Sequence, residues 1–328
     1  MKTITARISR TVLSTVACSA LLSLGAAAAH AAIGIESVDF AGPGGVQLTG
    51  VLYTPDGFAS KGANTVPAVV MMHGCSGIWS NRVVGAKNKN GTPNLQNHIE
   101  KWGLKLASEG FVALVVDSYT PRYPANIANP PTPSDWQNQC SGAANAGKVD
   151  PYTTRVLDAR AAWGFLDTDP DLAAVDHLRV GLLGWSQGAQ SAMVEIADSG
   201  RAAPATLRAT ADLRFSTTVV YYPGCGAALG FDAPDTSFWH PYADFRMNIG
   251  DLDDLYANCD DRMEDAIALN TGIGAPEIEY EVYADAGHSF DAESQTWPTA
   301  ACTPPSTGDV CAMNDADIDS LDFFKTLL

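Results

Sequence analysis

Positive charge is scarce in this sequence. Its 328 residues include 20 lysines and arginines against 37 aspartates and glutamates, which gives a formal net charge of −17. Beyond the amino-terminal segment there is no basic tract that could neutralise phosphates, and so acidic a surface repels polyanions. Long apolar runs are also missing beyond that segment, so no later stretch is predicted to span a bilayer. We therefore expect neither nucleic-acid binding nor membrane insertion of the mature chain.

The first 31 residues have the features of a signal peptide. A positive front (Lys2, Arg7, Arg10) precedes an apolar and small-residue run at 11–29, and Ala29-His30-Ala31 fits the small-x-small cleavage rule. A membrane anchor is disfavoured because serine and threonine dilute the run, and a lipoprotein signal at Cys18 because the preceding residues form a poor lipobox. Cleavage removes three cations and no acidic residue, so the net charge of residues 32–328 becomes −20.

This mature chain shows no repeat and no low-complexity linker. Its length, together with the 46% hydrophobic content of the full sequence, suffices to bury one large core, so residues 32–328 are predicted to form a single domain. The signal peptide predicts that this domain is secreted or periplasmic. The sequence does not indicate an oligomeric state.

Closely spaced cysteine pairs of the kind that bind zinc are absent. No CxxC pair occurs and only Cys75 has a histidine nearby, so we expect no metal site. Six cysteines remain after cleavage, and an even number in an exported chain favours disulfides, although fifteen pairings are possible. Cys302 and Cys311 lie close together in a loop rich in Pro, Thr and Gly and form the first predicted bridge. The other four are Cys75, Cys140, Cys225 and Cys259.

Strands and helices are predicted to alternate along the chain. Residues 35–40 and 46–53 alternate in polarity around the turn GPGG, which predicts an antiparallel hairpin at a sheet edge. Continuous apolar runs predict strands buried on both faces, at 67–72, 111–116, 178–183, 216–222, 245–249 and 278–283. Helical patterns occur at 95–109, 152–167, 187–198, 259–270 and 315–328. The alternation predicts a three-layer α/β fold, with a mostly parallel central sheet and helices on both faces.

The segment VGLLGWSQG, residues 180–188, predicts a strand that ends in a sharp turn with Ser186 at its tip. Gly184 and Gly188 flank the serine as GxSxG, and a tight strand-to-helix turn requires small residues at both places. A bare GxSxG also occurs in plain loops, but here an apolar strand precedes it and a helical pattern follows. Ser186 is therefore the predicted nucleophile.

A serine nucleophile needs a base within hydrogen-bond reach and an acid that orients the base. In enzymes with the serine on such a turn, the acid and then the histidine follow it along the chain, which leaves His240 and His288. We favour His288, in AGHSF directly after the last predicted strand, because His240 precedes a strand and is flanked by aromatic residues. His98 and His177 are expected to be ordinary core or surface residues.

The acid is expected after the strand at 245–249, where the sequence reads IGDLDDLYANC. Asp251, Asp253 and Asp254 compete, and three carboxylates in four residues also fit a solvated acidic turn. We favour Asp253, three residues beyond Gly250, a position that carries the acid in many enzymes of this architecture. Its carboxylate would fix the imidazole tautomer and stabilise the imidazolium.

Backbone N–H groups are expected to stabilise the negative charge that develops on a substrate oxygen. One candidate is the N–H of Gln187, directly after the nucleophile at a helix start. The second is the N–H of Cys75 in HGCSG, the loop after the strand at 67–72. A Gly-rich turn without this role is the alternative for HGCSG.

With GWSQG, HGCSG, GDLDD and AGHSF together, the chain resembles the α/β-hydrolase superfamily and, within it, the dienelactone hydrolase family. The resemblance runs from about Val46 to the carboxyl terminus and includes VVDSYTPR at 115–122, RVLDARAA at 155–162 and YYPGC at 221–225. It implies that Ser186, Asp253 and His288 take the three catalytic positions, and Cys75 and Gln187 the oxyanion positions. The founding members have a cysteine nucleophile and an acidic residue where this chain has Gly74.

The resemblance also implies two further disulfides. Cys225 and Cys259 would follow adjacent strands in such a fold and are predicted to pair. Cys75 and Cys140 are then the remaining pair.

These features predict a secreted serine hydrolase that cleaves carboxylic esters through an acyl-enzyme, without metal or organic cofactor. Two long loops, at 78–94 and 121–150, are expected to shape the substrate crevice. Aromatic residues near the strand ends are expected to line it: Trp79, Tyr119, Trp136 and Trp185. The alternatives are a serine peptidase of the prolyl-oligopeptidase type, whose propeller domain this chain is too short to contain, and a non-catalytic binding module on a hydrolase fold.

Overall fold

A sheet of eight strands, counted over the described residues, forms the centre of the fold. The structure is a computed structural model that describes residues 33–122, 139–140, 149–197, 215–225, 239–273, 276–303 and 306–328. The strands are β1 (Gly34–Ala41), β2 (Gln47–Thr54), β3 (Val66–Met72), β4 (Val112–Asp117), β5 (Val175–Trp185), β6 (Thr217–Tyr221), β7 (Asp244–Gly250) and β8 (Ile278–Tyr283). Their order across the sheet is β1-β2-β4-β3-β5-β6-β7-β8.

Strand directions divide the sheet into an antiparallel edge and a parallel body. β1 pairs antiparallel with β2, and β2 antiparallel with β4. From β4 to β8 every neighbouring pair is parallel. The turn between β1 and β2 uses Gly44 and Gly45, whose φ angles of 68° and 79° favour glycine. The predicted α/β fold with a mostly parallel sheet is thus confirmed.

The described helices cover both faces of this sheet. They are α1 (Asn97–Ser108), α2 (Thr154–Thr168), α3 (Gln187–Ile196), α4 (Tyr256–Ile273) and α5 (Asp309–Leu327). Gly181 of β5 faces Phe324 of α5, whereas Gly184 faces Ala189 of α3. Because side chains alternate along a strand, these two positions lie on opposite faces. Among the helices of the described residues, none combines the length and the apolar character that crossing a membrane requires.

The parallel body brings several strand ends to one edge of the sheet. Met72 of β3 is in register with Gly184 of β5, and Trp185 of β5 with Tyr221 of β6. Gly250 of β7 is paired with Tyr283 of β8. The segments that follow these strands therefore emerge side by side, which is where a parallel sheet forms its ligand crevice.

Three disulfides join described cysteines, in the pairs that the sequence analysis predicts. Cys75–Cys140, Cys225–Cys259 and Cys302–Cys311 have Cα–Cα distances of 5.6, 4.9 and 5.3 Å. The first links the segment after β3 to Cys140, which precedes α2 along the chain. The second links the segment after β6 to α4, and the third ties the loop before α5 to its first turn.

Several element boundaries differ from the sequence predictions. β5 begins at Val175 rather than at residue 178, because its first residues pair with β3 across a register shift. α5 begins at Asp309 rather than at residue 315, directly after Gly308, whose φ of 92° favours glycine. The stretch 78–94 is a folded loop with bridges from Trp79 to Leu95 and from Lys87 to Pro93.

Candidate active site

Ser186 lies on a strained turn between β5 and α3. Its backbone has φ 50° and ψ −115°, a conformation that a residue with a side chain rarely adopts. A Cβ on Gly184 would come within 2.7 Å of the carbonyl oxygen of Gly188, and a Cβ on Gly188 would collide with the carbonyl oxygens of Met72 and His73. The two glycines are therefore steric requirements of the turn, which leaves Ser186 partly exposed at its tip.

The imidazole of His288 reaches Ser186 from the loop after β8. His288 Nε2 lies 3.0 Å from Ser186 Oγ, and His288 Nδ1 lies 2.8 Å from Asp253 Oδ2. An ionised carboxylate only accepts hydrogen bonds, so Nδ1 carries the imidazole proton and Nε2 can accept the serine proton. The three favoured side chains thus form one hydrogen-bonded chain, although 102 residues separate serine from histidine.

The carboxylate of Asp253 is buried, with 1% of its side chain exposed against 37% for His288. Asp253 Oδ1 accepts a hydrogen bond of 2.9 Å from the N–H of Leu255, so both oxygens have a partner. The two competing carboxylates lie elsewhere. Asp251 and Asp254 are exposed, and Asp251 Oδ1 accepts from the N–H of Asp285 at 2.8 Å. Of the three candidates, the structure brings only Asp253 to His288.

The other histidines weighed as bases have different surroundings. His240 is buried with its Nε2 3.2 Å from Asn270 Oδ1. His98 lies buried edge-on against Trp185, and burial lowers its pKa. His177 lies near the surface, 3.4 Å from Asp167.

The segment after β3 passes directly against the nucleophile. A Cβ on Gly74 would lie 3.4 Å from the Cβ of Ser186, so a side chain at this position would be in van der Waals contact with the serine. The backbone N–H groups of Cys75 and Gln187 donate to no acceptor within the described residues. The two predicted oxyanion donors therefore lie on segments that meet at Ser186, with their N–H groups available.

The buried side chain of His73 holds the backbone of the segment after β3 through hydrogen bonds. Its Nε2 accepts from the N–H of Ser118 at 3.3 Å, so its Nδ1 carries the proton and donates to the carbonyl of Gly74 at 2.6 Å. Burial, aided by the nearby Arg155, holds the pKa of His73 well below its usual value. The His73 imidazole is thus neutral, with both ring nitrogens hydrogen-bonded, and has a structural role instead of acting as a second base.

A buried arginine, to which the sequence analysis gave no role, joins the two segments that carry the predicted oxyanion donors. Arg155 donates from Nη1 to Gln187 Oε1 at 2.9 Å and from Nη2 to the carbonyl of His73. Tyr119 donates its hydroxyl to the same Gln187 oxygen, and its ring lies 5.2 Å below the guanidinium. Burial lowers the pKa of Arg155, while Tyr119 and Asp158 oppose the shift. In the sequence, Arg155 stands out only as the first residue of RVLDARAA, at the start of a predicted helix.

Comparison with protein-family models decides the family. The model described as the dienelactone hydrolase family matches residues 49–328. The chain belongs to the dienelactone hydrolase family. It is accordingly a hydrolase of the α/β-hydrolase superfamily, as its motifs imply. Comparison with curated protein sequences gave no match.

Solved structures with this fold include esterases and a peptidase. Thermogutta terrifontis esterase 2 phosphorylated by paraoxon matches with a TM-score of 0.54 and 15% identity, over 89% of this chain and 94% of that chain. A candidate dienelactone hydrolase from Klebsiella pneumoniae matches with a TM-score of 0.55 and 13% identity, over 89% and 99%. Porphyromonas gingivalis dipeptidyl peptidase 4 matches at 0.54 and 13%, over 90% of this chain but 36% of that one. At these identities the similarity shows the fold alone.

Within this hydrolase, the four aromatic residues expected in the crevice are placed unequally. Tyr119 and Trp185 are buried, with 0% and 1% exposed, so they present no surface to a substrate, contrary to expectation. The reason is their polar partners inside the fold, since Trp185 Nε1 donates to buried Asp291 at 2.9 Å and Tyr119 binds Gln187. Trp79 keeps 8% exposure and lines a cleft. Trp136 lies outside the described residues.

This cleft has a volume of about 520 Å³. It lies between residues that follow Cys75 and residues that follow His288 in the chain. One wall begins at Ser76, directly after Cys75. The other contains Ala292, whose N–H closes a turn onto the carbonyl of Ser289. The lining is mainly hydroxyl, amide and charged side chains: Ser76, Trp79, Ser80, Asn81, Arg82, Gln96, Asn97, Ala292 and Glu293. The cleft therefore offers many hydrogen-bonding groups, and no triad residue is among these lining residues.

A second buried carboxylate, Asp291, has no predicted role and is connected to His288 through the side chain of Tyr222. Asp291 is fully buried and accepts from the hydroxyl of Tyr222 as well as from Trp185. The Tyr222 ring packs edge-on against His288, with 4.8 Å between ring centroids. Burial, together with Asp291, holds the pKa of Tyr222 well above its usual value, so the hydroxyl keeps its proton.

Proposed function

We propose that this hydrolase is a serine esterase that cleaves carboxylic esters through an acyl-enzyme. The observation that carries the proposal is the continuous hydrogen-bonded chain from Ser186 Oγ through His288 to the buried Asp253. A serine hydroxyl is a weak nucleophile until a base accepts its proton, and this chain supplies the base in the required tautomer.

In the first half-reaction, Ser186 Oγ bonds to the ester carbonyl carbon while its proton passes to His288 Nε2. The carbonyl electrons move to the oxygen, and the tetrahedral intermediate collapses by breaking the bond to the alcohol oxygen. His288 returns the proton to the departing alcohol. In the second half-reaction, water repeats the attack with His288 as base, and Ser186 is released with the carboxylic acid.

The N–H groups of Cys75 and Gln187 are proposed to donate to the oxyanion of each tetrahedral intermediate. Their support is the approach of Gly74 to Ser186, together with the position of Gln187 at the first turn of α3, where N–H groups lack helical partners. Donors fixed in advance cost no reorganisation when charge develops.

We further propose that the polar cleft receives one part of the substrate, with Trp79 at its wall. A cleft lined by hydroxyl and amide groups suits an ester whose acyl or alcohol part carries oxygen functions, because each buried polar group then keeps a partner. A panel of esters graded in size and polarity on either side tests this proposal. A preference for purely aliphatic esters would contradict it.

The same proposal includes export of the protein, as a single domain after removal of the leader. Three disulfides support this, because such bonds persist in the periplasm or outside the cell and are rare in the cytosol. Residues 1–31, the predicted signal peptide, supply the route. The mass of the protein recovered from outside the cytoplasm tests both points, since cleavage at the predicted site leaves a chain that begins at residue 32.

Hydrolysis of p-nitrophenyl acetate and butyrate tests the activity, with Ser186→Ala as the decisive variant. Ser108→Ala is the matched control, because Ser108 is an exposed serine at the end of α1. We expect activity in the parent and the control and none above background in Ser186→Ala. Activity confined to dipeptide p-nitroanilides would favour the peptidase alternative, and inactivity of all three proteins would favour the binding module.

A further inference from the structure

Residues Gln139 and Cys140 contact both segments that carry the proposed oxyanion donors. Cys140 forms a disulfide with Cys75, with 5.6 Å between their Cα atoms. The carbonyl oxygen of Gln139 accepts a hydrogen bond of 2.7 Å from Gln187 Nε2. This dipeptide is thus joined covalently to one donor residue and by a hydrogen bond to the other.

This dipeptide is itself held in place. Gln139 is buried, with 2% exposed, and its Oε1 accepts from the N–H of Val149 at 2.8 Å. On its other side, the Gln187 amide oxygen accepts from Arg155 and Tyr119. The Gln187 side chain therefore has partners at both polar atoms, and its position depends on all of them.

The two donors act through their backbone N–H groups, so their positions depend on the path of two separate segments. Cys75 belongs to the loop after β3, whereas Gln187 begins α3. An oxyanion hole works only if both N–H groups lie about 2.7–3.1 Å from the developing charge. A displacement of about 1 Å in such a site costs about 10²-fold in rate. A link between the two segments therefore bears directly on turnover.

We propose that Gln139 and Cys140 are positioning residues for the oxyanion hole, which hold the N–H groups of Cys75 and Gln187 at a fixed separation. This inference rests on the proposed esterase function. It differs from a purely stabilising role for the Cys75–Cys140 disulfide, since such a role would lower the unfolding temperature and leave the kinetics of the folded enzyme unchanged.

The test compares Cys75→Ser/Cys140→Ser with Cys302→Ser/Cys311→Ser. Serine keeps the backbone N–H and nearly the size of cysteine, so the first variant removes the link and not the donor. The second removes a disulfide that joins neither of the two segments with the proposed donors. Each protein is assayed on p-nitrophenyl butyrate well below its unfolding midpoint, and the inhibition constant of a trifluoromethyl ketone, which forms an oxyanion on the serine, is measured in parallel.

We expect kcat/KM of Cys75→Ser/Cys140→Ser to fall about 10- to 100-fold. This decrease does not exceed the decrease in rate that removal of one oxyanion donor causes, about 10²- to 10³-fold. The affinity for the trifluoromethyl ketone should fall by a similar factor, because the hemiketal oxyanion needs the same two N–H groups. The pH at the midpoint of the activity profile should not move, since the triad is untouched. The control pair should keep the parent kinetics.

Gln187→Met supplies a second variant, because it keeps the Gln187 N–H and removes the side-chain bond to the Gln139 carbonyl, together with the acceptor of Arg155 and Tyr119. It should show the same parallel loss of kcat/KM and inhibitor affinity without a change in the number of disulfides. If both folded variants keep the parent kcat/KM and inhibitor affinity, the inference is overturned while the esterase function stands. If the parent itself hydrolyses no ester, the proposed function fails and the inference fails with it.

Discussion

Replacing Asp253 with asparagine is expected to misplace one proton in the active site while leaving the fold intact. Asparagine can keep its oxygen on the N–H of Leu255, now 2.9 Å from Asp253 Oδ1. Its NH₂ group then occupies the position of Oδ2, 2.8 Å from His288 Nδ1, where the parent enzyme has an acceptor. The imidazole must respond by moving its proton to Nε2, which can no longer accept from Ser186.

The size of the effect follows from this change of tautomer. The analogous change in a serine protease triad lowers kcat by about 10⁴, which corresponds to about 5 kcal/mol of transition-state stabilisation. We expect a loss of this order in kcat on p-nitrophenyl butyrate for Asp253→Asn, with a smaller change in KM. The unfolding midpoint should change little, because the loop keeps its bond to Leu255.

Asp254→Asn is the matched control, because Asp254 is the adjacent residue and is exposed. It should retain the parent kcat and KM. The reasoning would be refuted if Asp253→Asn retained a tenth or more of the parent kcat, or if Asp254→Asn lost as much activity as Asp253→Asn.

Three further substitutions test the structure around the site. Gly188→Ala places a methyl group against the carbonyl oxygens at the end of β3 and should lower kcat/KM about 10²-fold. Gly164→Ala is the control, because position 164 on α2 faces open space, and it should keep the parent kinetics. Equal effects of the two substitutions would contradict the steric argument. Lys101→Met leaves the buried carboxylate of Asp317, 2.5 Å from Lys101 Nζ, without its cation and should lower the free energy of unfolding by about 3–5 kcal/mol. Burial raises the pKa of Asp317, and Lys101 opposes the shift. Without the lysine, folding takes up a proton over a wider pH range above the unfolded-state pKa, so denaturant titrations should show a larger loss of unfolding free energy at pH 8 than at pH 5. A loss that does not depend on pH would contradict the proposed ion pair. Tyr222→Phe removes a hydroxyl that donates to a buried carboxylate and should cost about 1–3 kcal/mol in thermal unfolding; an unchanged midpoint would show that this bond contributes nothing.

Local patterns in the sequence predicted the strands of the sheet, but β8, expected to be buried on both faces, is an edge strand without a buried residue. Continuous apolar runs identify β3, β4 and the second half of β5, because helices cover both faces of these strands and leave no polar side to alternate. The ends of elements were less predictable. α5 begins six residues earlier than the pattern suggests, since its start depends on the conformation of Gly308.

The residues of the candidate triad were predictable for a different reason. A GxSxG turn fixes where the serine must lie, and the order of acid and histidine along the chain narrows the other two choices. Among three neighbouring aspartates, the position three residues beyond Gly250 favoured Asp253, and the physical difference between them is burial. Asp253 is buried and Asp251 and Asp254 are exposed, a difference set by how the loop folds after β7.

The buried polar groups around the site could not be predicted from local patterns. Arg155, Gln187 and Asp291 find partners between 32 and 106 residues away along the chain. Their burial becomes favourable only when those partners are assembled, so composition and periodicity carry no trace of it. Trp185 illustrates the converse, since a strand-end position predicted exposure and its bond to Asp291 places it inside.

Covalent labelling of the folded, purified chain by paraoxon tests the central claim most directly. A Thermogutta terrifontis esterase with the same fold is phosphorylated by paraoxon, and the His288–Ser186 geometry here provides the base that such a reaction requires. Intact mass should increase by one diethylphosphoryl group, peptide mapping should place it on Ser186, and Ser186→Ala should remain unmodified. A folded parent that gains no mass, or gains it at another residue, would contradict the claim that His288 activates this serine.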